Sequence, residues 1–234
     1  MTGETQGALL TESVHRRIRE EVLSGALPPG APLSVPALAA RLGVSRSPVR
    51  ESVQQLIHEG LAVATPRSGA RVAVIDDTTM RSLLEVREVL DGLAARQAVL
   101  RCTDADIAVL VEMLAEQEDA LSDPPDGRRD AELDLAFHTA IRRLSGNAPL
   151  VDTLHRLHVQ GHLYRSATWG AEEDRRFAVR EHRRIVDAVQ AGDAMGAEGA
   201  ARAHVAAVSV RLMRRAAGEP CATVPEGHGA RWRA

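Results

Sequence analysis

From residue 76 to residue 217 the chain reads as a succession of amphipathic segments of helical length. Apolar residues recur there at intervals of three and four, which places them on one face of a helix. Short breaks rich in Gly, Pro, Asp and Asn separate the segments. The predicted helices cover residues 78–100, 103–121, 127–144, 150–166, 172–190 and 194–217. Because such helices bury their apolar faces against one another, this region predicts an antiparallel helical bundle.

The first 75 residues follow a different order, in which three helices precede two short β-like runs. These elements are predicted over residues 11–24, 35–42, 46–59, 61–65 and 70–74. Gly43 supplies the turn between the second and third helices, and residues 66–69 form the tight loop of a hairpin. This order is typical of a winged helix-turn-helix domain. We therefore expect a mainly α protein with domains over 1–75 and 76–217, followed by a disordered Gly- and Pro-containing tail over 218–234.

The third predicted helix carries the candidate DNA-contacting residues. In a helix-turn-helix domain the N-terminal end of the second helix of the motif enters the major groove. Here that end would present Ser45, Arg46, Ser47 and Arg50. Arg is the usual reader of guanine edges, and hydroxyls and helix N-terminal amides suit phosphates. The hairpin tip would add Arg67, Ser68 and Gly69. The alternative is that the two helix arginines form a solvated surface.

Four residues of the bundle region form a candidate metal site. Asp134 and His138 are four apart in a helical segment, so their side chains share one face. His182 and His204 lie in two later helical segments. Three helices that aim these groups at one centre would build an Asp/His₃ site, which suits Zn, Ni, Mn or Fe better than Ca or Mg. We therefore expect one divalent transition metal per chain.

A plainer interpretation of these histidines stays open. The chain has nine His, and a single His on an apolar helix face is often a hydrogen-bonded core or surface residue. The remaining six are interpreted as surface or helix-face residues: His15, His58, His155, His158, His162 and His228. Three of them, at 155, 158 and 162, share one helix face and form a weaker rival ligand set, because no carboxylate stands at matching spacing.

Composition narrows the possible partners and the cellular location. Residues 1–75 carry 8 Arg and 6 acidic residues, whereas the remainder is net acidic, so only the first part has a charge that favours DNA. Two distant Cys indicate a reducing compartment rather than a structural disulfide. The N-terminus lacks the apolar stretch of a signal peptide, and no run approaches the ~18 residues of a membrane span. We expect a cytoplasmic protein without a membrane partner.

Two stretches carry a family resemblance that spans nearly the whole chain. The segment LAARLGVSRSPVRESVQQLIHEGLAVATPRSGARV closely resembles the winged-helix domain of the GntR regulators. The segments LLEVREVLDGLAA, DLAFHTAIRRLSGNAPL and EHRRIVDAVQAGD, with the late His204, are similar to the FCD ligand domain of the FadR branch of that family. One departure is Val35-Pro36, where family members usually carry Glu followed by a basic residue.

The resemblance implies roles for particular residues. Asp134, His138, His182 and His204 match the family's metal ligands, with none missing. Arg87 matches an Arg that grips the carboxylate of a small organic acid effector, a task that suits its planar fork. The alternative for this residue is an ion pair within its helix, for instance with Asp91 at i+4.

The expected function is a transcriptional regulator, most often a repressor in such a family. A homodimer would read two half-sites of a palindromic operator in double-stranded DNA. A small organic acid bound at the metal site would change the affinity for that DNA. Three alternatives stay open: a sensor whose signal is the metal itself, a purely structural metal, and a metalloenzyme. We expect no enzyme, because no general base with a recognisable motif accompanies the site.

Overall fold

Nine helices and one two-stranded sheet make up the described part of the chain. The computed structural model describes residues 2–66, 69–164 and 172–216. In chain order the elements are α1 (Thr2–Leu23), α2 (Val35–Leu42), α3 (Arg46–His58), β1 (Ala62–Thr65), β2 (Gly69–Val72), α4 (Asp77–Val99), α5 (Asp104–Ala120), α6 (Gly127–Leu144), α7 (Ala148–Gly161), α8 (Glu172–Gln190) and α9 (Ala194–Ala216). This order confirms the mainly α fold class.

The first three helices and the hairpin form a winged helix-turn-helix. Gly43 ends α2 in the left-handed conformation (φ 69°), which favours a residue without a Cβ. The two strands pair antiparallel, with Ala62 opposite Val72. The small core beneath them contains Ile18 of α1 and Val49 and Leu56 of α3, all fully buried. These apolar positions hold α3 by one face and leave its N-terminal end exposed.

Two helix boundaries differ from the sequence expectation by more than two residues. The first helix begins at Thr2 rather than residue 11, and the first ten residues contain no Pro that would stop it earlier. The fourth bundle helix, α7, ends at Gly161 rather than residue 166. Gly has a low helix propensity, so its position is a natural end for this element. Both differences affect ends and leave the element order unchanged.

In the bundle, α4 packs along α9 in the antiparallel sense, and α9 also packs against α8. Salt bridges from Arg202 to Glu88 and from Arg96 to Glu198 run between α4 and α9, so residue numbers rise in opposite directions along them. At Gly92 a Cβ would lie 2.6 Å from Cγ of Arg202, so the two helices approach closely because this side chain is absent. Buried alanines on both helices allow the same close packing.

Local sequence signals fix where the bundle helices begin. The side chain of Asp76 accepts a hydrogen bond from the Thr79 amide at the start of α4. Thr103 and Asp106 form a reciprocal capping box at the start of α5. These bonds satisfy backbone amides that have no partner inside the helix. The predicted breaks before residues 78 and 103 are therefore helix starts with caps.

The helix α7 also reaches the N-terminal core. Val159 and Leu163 are buried in the same cluster as the winged helix-turn-helix core. Gly60, with a φ of 75°, lies just beyond α3, and a Cβ there would lie 1.7 Å from Nε2 of Gln160. The positive φ favours glycine at this position, and a Cβ there would force the Gln160 side chain to move. This contact joins the end of α3 to the end of α7.

Within the described part of the chain, no helix is long and apolar enough to cross a bilayer. The predicted tail over 218–234, with His228, lies outside the described residues, as do Arg67 and Ser68 of the predicted hairpin tip.

Candidate metal centre and DNA-contacting helix

The helix α6 carries two of the four predicted metal ligands on its buried face. Asp134 and His138 are about 6 % and 5 % exposed, one helical turn apart. Nε2 of His138 lies 3.5 Å from Oδ1 of Asp134. Phe137, between them in sequence, is fully buried and anchors this face in the bundle core. The i, i+4 spacing therefore places the carboxylate and the imidazole side by side, as the helical prediction implied.

The helices α8 and α9 bring His182 and His204 to the same place. The ring centres of His138, His182 and His204 lie 4.7–5.0 Å from one another. One ligand atom from each of these residues and from Asp134 lies within 4.8 Å of all the others. Since metal–ligand distances near 2.0–2.2 Å keep donors within about 4.4 Å of one another, a small contraction would let the four groups share one ion.

The orientation of His182 is set from outside the cluster. Its Nδ1 lies 2.7 Å from Oε1 of Gln117 on α5, and Nε2 of that amide donates to the Leu133 carbonyl. Because Oε1 can only accept, Nδ1 of His182 carries the proton and Nε2 presents its lone pair to the centre. The ring also stacks on Phe137, with ring centres 4.3 Å apart. His182 is therefore held with its unprotonated Nε2 on the side of Asp134.

A carboxylate performs the corresponding task for His204. Nδ1 of His204 lies 2.9 Å from Oε2 of Glu181, the residue immediately before His182. Glu181 in turn accepts two hydrogen bonds from Arg211, at 2.6 and 2.9 Å. A carboxylate behind a histidine fixes its tautomer and increases its basicity as a ligand. Nε2 of His204 is thereby left available.

The electrostatics of the cluster fit a cation. Nε2 of His138 and Nε2 of His182 are buried with no hydrogen-bond partner, which is costly unless something binds them. Burial, together with neighbouring His204 and His138, lowers the pKa of His182 well below its ordinary value. Burial likewise lowers the pKa of His138. These rings are neutral near pH 7, which is the form that binds a metal.

The same shifts predict how stability depends on pH. The pKa values of His138, His158 and His182 are lowered in the folded chain, chiefly by burial. The unfolded chain therefore binds more protons below the ordinary histidine pKa of about 6.5. We expect the free energy of unfolding of metal-free protein to be lower at pH 5.5 than at pH 7.5, measured by urea denaturation with chelator present. His182→Asn should reduce the difference in unfolding free energy between the two pH values. Equal stability of the parent protein at both pH values would contradict the lowered pKa values of these histidines.

A second buried polar cluster adjoins the histidines. Arg87 of α4 forms the i, i+4 ion pair with Asp91 that the sequence allowed, with Nε 3.2 Å from Oδ2. Arg142 of α6 donates to both oxygens of the same carboxylate, at 2.8 and 3.2 Å. Burial acts to raise the pKa of Asp91, but Arg142 and Arg87 outweigh it and hold that pKa below its usual range. Asp91 is therefore an ionised partner of both arginines.

Two histidines interpreted as surface or helix-face residues are in fact buried. His158 is about 3 % exposed, with Nε2 3.5 Å from Oδ2 of Asp134 and Nδ1 3.3 Å from Nη2 of Arg142. His15 is buried, with its Nε2 2.9 Å from Oε1 of Glu59. Their acidic partners are distant in sequence, so helical spacing alone gave no signal for them. His158 therefore belongs to the surroundings of the candidate metal centre.

Other supporting residues were also missed from the sequence. Arg142 stands four residues after His138, so the series at 134, 138 and 142 shares one face and could have revealed it. Glu181 adjoins His182, but its partner His204 lies on another helix. Gln117 is 65 residues from His182 and carries no local signal.

The start of α3 has the features expected of a DNA-reading helix. Ser45, Arg46, Ser47 and Arg50 are all exposed, whereas Pro48 and Val49 between them are buried. Ser45 occupies the N-cap position without a side-chain cap hydrogen bond. Among the described residues, neither arginine forms a hydrogen bond or ion pair, while Oγ of Ser47 donates to Glu51 at 3.2 Å. Gly69 begins β2 and is also exposed.

Comparison with known proteins agrees with both halves of this description. Residues 10–72 match the model of the bacterial regulatory proteins of the gntR family, and residues 82–207 match that of the FCD domain. The chain belongs to the GntR family. As a GntR-family protein it is a DNA-binding transcriptional regulator, and its relatives are regulators rather than enzymes.

The relatives of this GntR regulator are similar over most of their length. An uncharacterised HTH-type regulator in an unstable DNA locus of Streptomyces ambofaciens is 34% identical over 95% of both chains. A probable D-xylose utilization operon repressor of Paenarthrobacter nicotinovorans is 30% identical over 87% of this chain and 90% of its own. The solved structure of E. coli McbR/YncC, 25% identical, has a TM-score of 0.71 and covers 89% of this chain and 97% of its own.

Proposed function

We propose that this GntR regulator is a repressor whose operator binding is controlled by a small organic acid, bound at a divalent metal site in the helical domain. The observation that carries this proposal is the burial of Asp134, His138, His182 and His204 around one point, with two imidazole nitrogens that lack a partner. The name of the Paenarthrobacter relative supports repression as the mode of action.

Those four residues would hold the metal. Three imidazole nitrogens and one carboxylate oxygen suit Zn, Ni, Mn or Fe, with one ion per chain. When bound, such an ion supplies positive charge and Lewis acidity for a carboxylate oxygen of the effector. Gln117 and Glu181 keep the nitrogens of His182 and His204 directed towards it.

Arg87 is the proposed anchor for the effector carboxylate. It is buried, and desolvation makes an unpaired guanidinium costly, so it needs an anionic partner. Its partner Asp91 also holds Arg142, and Asp91 would therefore stay paired if Arg87 turned to an effector. The ion pair that the sequence offered as an alternative is present and is compatible with this role.

Replacement of Arg87 by Ala is expected to weaken the effector response by about 10- to 100-fold, since a hydrogen bond to a charged group contributes roughly 1.5–3 kcal/mol. Metal content should not change. The measurement is the acid concentration that half-releases operator DNA, with metal content from elemental analysis. Arg96→Ala is the matched control, because that arginine lies on the same helix but is exposed and paired with Glu198. An unaltered dose curve would contradict the carboxylate role.

DNA contacts are proposed for the start of α3 and for the hairpin. Ser45, Arg46, Ser47 and Arg50 would enter the major groove, because they are exposed at the helix N-terminus. Arg67, Ser68 and Gly69 would reach the adjacent groove or backbone. A DNA ligand also implies the cytoplasm as the location. The division into domains over 1–75 and 76–217 is supported by the two family matches.

A homodimer would present two such helices to a palindromic operator. One face of α4 carries exposed apolar side chains. Val86 and Val89 are 47 % and 57 % exposed, Leu100 at the C-terminal cap is 68 % exposed, and half-buried Leu93 lies on the same face. An exposed apolar stripe of this kind favours a protein contact, and a second copy is the partner that a palindrome requires.

The test is operator binding measured with and without metal and acids. Duplexes that bind the regulator are first selected from random DNA, and the affinity is then determined for metal-loaded and chelator-treated protein against a library of organic acids. Release of DNA by an acid only when metal is present is the expected result. Release of DNA by metal without any acid would instead indicate a metal sensor, whereas tighter operator binding in the presence of metal is compatible with the proposal. If elemental analysis and titration show no metal binding, the site assignment is wrong.

A further inference from the structure

The helix α7 lies between the candidate metal centre and the winged helix-turn-helix. His158 is buried in the His/Asp cluster, and the next residue, Val159, is buried in the N-terminal core. Leu163, one turn further on, lies in that core as well. Six consecutive residues, 158–163, at the end of α7 and just beyond it therefore connect the candidate metal centre with the N-terminal core.

The hydrogen bonds of His158 define its tautomer. Nη2 of Arg142 lies 3.3 Å from Nδ1 of His158, and Arg can only donate, so Nδ1 accepts. In the neutral ring the proton is then on Nε2, which faces Oδ2 of Asp134 at 3.5 Å. The other oxygen, Oδ1, faces His138 and His182. One carboxylate oxygen of Asp134 thus faces two candidate metal ligands, and the other faces His158 of α7.

This arrangement forms a buried chain from Asp91 through Arg142 and His158 to Asp134. Each of these residues is at most about 6 % exposed. A buried polar group that loses its partner costs roughly 1–3 kcal/mol, so His158 keeps α7 in register with α6. The 3.5 Å separation from Asp134 exceeds a good hydrogen bond, so a shift of the carboxylate changes this contact directly.

The other end of the segment contacts the DNA-reading helix. The side-chain amide of Gln160 lies directly against Gly60, which stands two residues beyond the end of α3. Val159 packs in the cluster that contains Leu56 of α3. A displacement of α7 along its axis would therefore reach the turn that follows α3 through Gln160 and Gly60, because packed interfaces transmit small shifts.

We propose that His158 is a positioning residue, which orients Asp134 for metal binding and transmits occupancy of the site through α7 and Gln160 to the DNA-reading helix. The inference rests on the proposed metal site. It adds a residue outside the ligand set and a route by which the site acts on DNA.

The test compares two isosteric changes at one position in the full-length protein. His158→Gln places an amide donor near Nε2 and keeps the contact with Asp134, whereas His158→Asn places its amide near Nδ1 and loses that contact. The readouts are the affinity for Zn²⁺, from competition with a chelating indicator, and the ratio of operator Kd values with and without Zn²⁺. His158→Asn should lower Zn²⁺ affinity by about 10-fold or more, as removal of an outer-sphere partner does. It should also bring the Kd ratio towards one, while His158→Gln stays near the parent protein.

A second variant separates the two halves of the proposal. Gln160→Ala should leave Zn²⁺ affinity unchanged and reduce the effect of Zn²⁺ on operator Kd by several-fold. Parent-like behaviour of both His158→Asn and Gln160→Ala would overturn the inference. A parent protein that binds Zn²⁺ with no change in operator Kd would overturn transmission but leave the metal site intact. A parent protein that binds no Zn²⁺ would overturn the site and the inference together.

Discussion

Arg46→Ala and Arg50→Ala should each reduce specific operator affinity by about 100-fold or more. A bidentate arginine–guanine contact contributes roughly 1–3 kcal/mol, and the proposed homodimer would lose it in both half-sites. Both side chains are exposed at the start of α3 and have no partner among the described residues, so the bundle should keep its fold. Anisotropy titration with labelled operator measures the effect, and circular dichroism checks the fold.

The control for that result is Arg16→Ala. Arg16 is exposed on α1 in the same domain, so this change removes the same charge without touching the start of α3. It should affect only the weak, salt-dependent attraction to any DNA. If Arg46→Ala, Arg50→Ala and Arg16→Ala bind the operator equally well, α3 is not the reading helix.

The second large effect is expected from His182→Ala, which should lower Zn²⁺ affinity by more than about 100-fold. Loss of an outer-sphere partner typically costs about 10- to 100-fold, and His182 is a proposed direct ligand. The residue is about 1 % exposed and stacks on Phe137, so truncation also leaves a cavity. Competition with a chelating indicator gives the affinity, and elemental analysis gives the metal content.

His182→Asn separates ligand loss from cavity formation, because Asn keeps a polar group near Gln117 and fills part of the space. It should retain the fold yet bind Zn²⁺ poorly. His155→Ala is the matched control, because His155 is exposed on α7 and lies outside the ligand set. Full metal occupancy in both His182 variants would remove this residue from the ligand set.

Much of the fold could be predicted from the sequence because its signals are local. Gly43, Asp76 and Thr103 mark helix ends by conformation or capping, and the structure has boundaries at those positions. The clustering of Asp134 with His138 follows from helical spacing alone, and that of His182 and His204 was expected from the pattern and the family resemblance. Local chemistry thus defines elements and the face that each one buries.

What could not be predicted depends on contacts between distant segments. His158 shares its spacing with two less buried histidines, and only the approach of α6 distinguishes it. Gln117 orients a ring 65 residues away. Arg87 and Asp91 were recognisable as a helix pair, but the arrival of Arg142 at the same carboxylate was not. Tertiary packing, rather than residue type, decides these roles.

Gly92 controls the position of His204 through the distance between two helices. The missing side chain sets how near α9 lies to α4, and His204 stands two residues beyond the Arg202 stem that fills the space. A single methyl group at position 92 would press on the segment that delivers the third imidazole. A substitution at position 92 could thus alter the proposed metal site without replacing any of the four candidate ligands.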